Sequence, residues 1–70
     1  MGLKLFTATG ESYEYAVWAK NQTEAASFIR GYFHEMSDQS ANKNLKAIIT
    51  DRKQVYRRHL TDDNAEWETI

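Results

Sequence analysis

The sequence predicts an α+β fold, with four strands in a mainly antiparallel sheet and one amphipathic helix packed on one face, in the order ββαββ. Three observations predict it. Tyr13-Glu14-Tyr15-Ala16-Val17-Trp18 alternates at a spacing of two, as a strand with two distinct faces does. Ala25, Phe28, Ile29, Tyr32, Phe33 and Met36 recur at three and four, as on one face of a helix. After a polar, turn-rich segment at 38–44, two further runs, 45–50 and 54–60, read as strands.

Each element has a local reason. Residues 3–9 suit a pleated surface through Leu5, Phe6, Thr7 and Thr9. Gly10-Glu11 fits a two-residue II′ turn, which pairs Phe6 with Tyr15 and Ala8 with Tyr13. Asn21 is a helix N-cap, and Glu24 three residues on completes a capping-box pattern. The stripe carries the helix to about Ser37, with Gly31 inside it. Such a helix is roughly 24 Å long, close to a seven-residue strand, so the two can pack lengthwise. The crossover should be right-handed. The simplest sheet order is 2-1-3-4; the alternatives are 1-2-3-4 or a sheet completed by a second subunit. Residues 1–60 form the domain, and 61–70 read as an acidic, flexible tail whose Trp67 can dock back.

Composition narrows the function classes. A 70-residue chain makes one domain, near the lower limit for folding without staples. Cysteine is absent, so no disulfide or thiolate metal site can form, and no metal or other cofactor is expected. The aromatic share of 13% supplies core mass in place of staples. The net charge of −1 argues against a globally basic nucleic-acid binder. No signal-like or membrane-length apolar run is visible, which points to a cytoplasmic protein with no membrane role.

No residue pattern points to catalysis. His34 and His59 are far apart in the chain, and no nucleophile–base or HExxH spacing accompanies them. Thr9-Gly10-Glu11-Ser12 holds a lone glycine rather than a phosphate-cradling loop. Asn21-Gln22-Thr23 matches a glycosylation acceptor but serves better as a helix cap.

The surface is more informative. One helix covers one sheet face, and the hairpin is apolar on both. Phe6, Ala8, Tyr13, Tyr15 and Val17 share one face; Leu3, Leu5, Ala16 and Trp18, with Thr7 and Glu14, share the other. Whichever face the helix leaves free should therefore expose an apolar patch, with Trp18 on one face, or Phe6 and Tyr15 on the other, as partner-binding anchors. A second reading uses Arg52, Lys53, Tyr56, Arg57 and Arg58 as a basic, aromatic strand for nucleic acid. Asp62, Asp63, Glu66 and Glu68 follow at once and can neutralise it, so a charged edge strand explains the cluster better.

The segment from Tyr15 to Ala26 runs from strand through polar cap into a helix opening Glu-Ala-Ala. It resembles the strand-to-helix junctions of small bacterial, phage and mobile-element accessory proteins, some of them inhibitors of host machinery such as anti-CRISPRs. The resemblance implies a non-enzymatic accessory or inhibitory protein acting on an unidentified protein partner. A nucleic-acid-binding module and a homodimer are the alternatives.

Overall fold

The computed structural model describes residues 2–30, 33–62 and 64–70. Chain order is β1 Lys4–Thr9, β2 Tyr13–Ala19, α1 Gln22–Ile29, β3 Glu35–Asp38, α2 Lys43–Ile48, β4 Val55–His59 and β5 Glu68–Thr69. The five strands form one antiparallel sheet in the order β3-β1-β2-β4-β5. The α+β class and the antiparallel sheet are as expected; the count of four strands and one helix is not.

The central hairpin turns one step later than expected. Glu11 and Ser12 are the loop residues, Gly10 N–H donates to the Tyr13 carbonyl at 2.8 Å, and Phe6 lies opposite Val17. Among the described residues only Arg30 has a positive φ, so the turn is neither I′ nor II′. The register differs by two residues, an even number, so every side chain keeps its expected face.

The expected long helix divides. Asn21 caps α1 by accepting the Glu24 N–H at 2.8 Å, and Glu24 reaches back to the Lys20 N–H at 3.3 Å. α1 ends at Ile29, where Arg30 takes the left-handed conformation (φ 51°, ψ 38°) and closes the last turn onto Ala26. Met36, expected on the helical stripe, lies in β3 opposite Ala8. The Gly31 and Tyr32 positions of that stripe lie outside the described residues. β3 holds the outer edge of β1, extended by Gln39 N–H to the Leu5 carbonyl at 2.7 Å. At its end the Asp38 carboxyl is held below its usual range by Ser40. The Ser40 hydroxyl lies close without a hydrogen-bonding geometry of its own, and the Ser40 N–H donates at 2.8 Å.

Residues 45–50, expected as a strand, are mostly helix. Asn42 caps α2 by accepting the Leu45 N–H at 3.0 Å, and Ile49 closes it with an N–H to the Leu45 carbonyl at 2.8 Å. Leu45 and Ile49 are four apart and so meet the sheet together. β4 therefore pairs directly with β2, through Val17 opposite Val55. Glu68–Thr69, in the segment expected to fray, pair with β4 as β5.

These changes produce three layers. On one sheet face Phe6, Val17 and Ala19 pack with Ala25 of α1, and Ile29, Met36 and Val55 close around them. On the other, Leu5, Ala16 and Trp18 pack with Ile49, and Leu3, Leu45, Tyr56 and Trp67 close around those. Each fully buried aliphatic side chain contributes about 2 kcal/mol. The Trp18 indole donates to the Ile49 carbonyl at 2.7 Å, a buried bond between residues 31 apart in the chain. It satisfies the carbonyl where α2 ends.

Trp18→Phe retains an aromatic ring but leaves that carbonyl unpaired. We expect a loss of about 1–3 kcal/mol in urea unfolding, with amide protection in α2 falling before protection in α1. Equal loss in both helices would show that the indole bond does not seat α2.

Candidate functional site

Among the described residues, the sheet face under α1 is only half covered. α1 has eight residues and lies over the end of β2 that carries Val17 and Ala19. At the other end, register brings Tyr13 opposite His59 and Tyr15 opposite Arg57, and beyond Arg57 stands Glu68. All five side chains point to the same face, because residues directly opposite on an antiparallel sheet do.

They form a connected cluster. The Tyr13 ring centroid lies 4.5 Å from that of His59 and 6.2 Å from that of Tyr15. The Arg57 guanidinium stacks over Tyr13 at 4.6 Å from the centroid. Arg57 Nε donates to Glu68 Oε1 at 2.9 Å. That bond raises the guanidinium pKa above its already high ordinary value, so Arg57 stays charged. Tyr13, Tyr15 and Arg57 are half-buried and His59 is exposed. The rings are held in place by neighbours while their outer edges meet solvent.

The expected anchors part company here. Tyr15 belongs to this open quarter of the sheet. Phe6 and Trp18 are core residues, 5% and 7% exposed. The face bearing Trp18 is the one free of α1, but α2, Ile49 and Trp67 cover it. Tyr13 and His59 are not among the anchors expected from the sequence. Tyr13 was visible in the alternation with Tyr15; His59 becomes a neighbour only once the β2–β4 register is known.

The basic segment does not act as one surface. Alternation sends Arg57 to the α1 face and Arg58 to the α2 face. Arg58 Nε donates to Glu14 Oε2 at 3.0 Å, opposite it on β2, and its guanidinium lies 4.9 Å from the Trp67 ring centroid. Tyr56 packs against the Trp18 cluster. Arg52 and Lys53 sit in the turn before β4, where Asp51 accepts the Lys53 N–H at 2.9 Å. The Arg52 guanidinium stacks on Trp18 at 5.0 Å. Of the neutralising acids expected in the tail, Glu68 does meet Arg57, and Asp63 lies outside the described residues.

Among the described residues, no three of His, Asp and Glu gather as a metal site would need, and no helix is long and apolar enough to cross a membrane. Comparison with protein families, curated proteins and solved structures finds no match.

Arg57 joins β5 to the cluster through Glu68 and clamps Tyr13. Arg57→Ala should therefore release β5 selectively: exchange of the Ile70 amide, bonded to the Val55 carbonyl, should quicken while amides of β1 keep their protection. Unchanged exchange at Ile70 would show that β5 is held by its backbone bonds alone.

Proposed function

We propose that this chain is a non-enzymatic binding protein of the accessory or inhibitory kind, engaging a protein partner through the open quarter of its sheet. One observation carries the reading: Tyr13, Tyr15, Arg57 and His59 form a single connected, partly exposed cluster on a paired strand ladder. Tyr and Arg are the side chains that dominate interface energies, because each combines large contact area with a polar end. Mounted on adjacent sheet strands, they lose little freedom on binding. The partner that fits presents apolar side chains to the two rings and a carboxylate that competes with Glu68 for Arg57.

The resemblance of residues 15–26 to accessory proteins of phage and mobile elements supports the accessory or inhibitory kind. The absence of cysteine suits a reducing compartment, and we place the protein in the cytoplasm. A homodimer was attractive while one sheet face lacked a cover. With α2 and Trp67 in that place, that argument for a second copy falls away, and a monomer is the better reading.

A photo-crosslinking residue placed at Tyr15 should give one discrete protein adduct in cells, and Arg57→Ala should abolish it. The same residue at Asn44, on the exposed side of α2, should not give it. Identical adducts from both positions, or none from Tyr15 in a folded variant, would sink the proposal.

A further inference from the structure

The geometry points to a second site, independent of the proposed partner face: a groove that takes a nucleotide, free or as a unit of a single strand. The groove encloses about 440 Å³ and lies between the C-terminal turn of α1 and the turn before β4. That size falls within the ~300–1,000 Å³ usual for small-molecule sites. Val17 and Trp18, neighbours on β2 that are 3% and 7% exposed, line it together with Phe28, Arg30, Arg52 and Lys53.

Three facts select the ligand. First, the groove carries three cations, and none makes an ion pair among the described residues, whereas Arg57 and Arg58 each have a carboxylate partner. The neighbouring Asp51 is turned to the Lys53 N–H. A cation at the C-terminus of α1 complements the helix dipole, which accounts for Arg30 but not for Arg52 and Lys53. In a chain of net charge −1, such a concentration favours an anionic group at that place. Second, two of the three cations are positioned before any ligand arrives. Arg52 is stacked on the buried Trp18 ring at 5.0 Å, and the left-handed backbone at Arg30 (φ 51°) fixes where its side chain leaves the helix.

Third, Phe28 is 48% exposed although it was expected on the buried stripe of the helix. Ala25 and Ile29 take the core positions, so Phe28 turns its ring to the groove. An exposed ring beside several cations matches a base to stack and a phosphate to neutralise. Inorganic phosphate alone would leave the ring unused.

Calorimetry at low ionic strength, about 25 mM, with inorganic phosphate, adenosine monophosphate and a short oligothymidylate tests this. The nucleotide should bind at least tenfold more tightly than phosphate, and its affinity should fall as salt rises. Phe28→Ala should weaken nucleotide binding by about tenfold and leave phosphate binding unchanged. Arg30→Glu with Lys53→Glu should weaken every anion, by roughly tenfold or more. Lys43→Glu, on α2, should weaken none, which separates the groove from a general charge effect. Tighter binding of the oligothymidylate would assign a single strand as the source, and equal or weaker binding a free nucleotide. Failure of both nucleotide probes to bind, phosphate binding as well as the nucleotide, or no effect of the Phe28 and Arg30/Lys53 variants in circular-dichroism-verified folds would overturn the site.

Discussion

The hydrogen bond from the Trp18 indole to the Ile49 carbonyl holds the architecture together at its least secure point. A six-residue helix cannot sustain itself in water, since nucleation costs more than so few backbone bonds return. α2 exists because Leu45 and Ile49 find an apolar surface in Leu5, Ala16 and Trp18, and because its terminal carbonyl finds a buried donor. Once α2 is seated, the sheet has a cover on each side, and a 70-residue chain builds two apolar clusters without a disulfide.

The need for two covers comes from the hairpin. β1 and β2 are apolar on both faces, as central strands between layers are. The two covers are short and placed differently. α1 reaches only the Val17–Ala19 end, so the opposite end of that face keeps its tyrosines at the surface. α2 and Trp67 fill the other face. Function, as read here, lies in what the short helices leave uncovered: the Tyr13–Tyr15–Arg57–His59 quarter, and the groove where α1 stops beside the turn into β4. Opposite charges placed directly across the ladder, Glu14 with Arg58 and Arg57 with Glu68, tie the outer strands on both faces.

The hairpin was legible because alternation is a signal of parity. The turn was misplaced by one residue on each strand, yet the faces were right, because a two-residue shift leaves every side chain on its side. The start of α1 was legible through Asn21 and Glu24. Its end was not, since Phe33 and Met36 continue the helical spacing past Arg30 while in fact serving the loop and β3. β3 itself reads Glu-Met-Ser-Asp, poor strand formers held there by pairing to β1, so tertiary contact decides it. Leu45 to Ile49 fits either period. Its β-branched end favoured a strand, while Asn42 three residues before Leu45 was the cap signal that marked a helix. The site residues followed the same rule: Tyr15 was visible along one strand, whereas His59 and Arg30 become neighbours of their clusters only through long-range pairing.

The central claim is that both sheet faces are covered within one chain, leaving one quarter of the sheet open among the described residues. Solvent paramagnetic relaxation, measured by NMR with an inert soluble probe, tests it directly. The account predicts a strongly protected Trp18 indole proton together with readily relaxed ring protons of Tyr13 and Tyr15. A Trp18 indole proton relaxed as fast as those rings would contradict it, for α2 would then not cover its face.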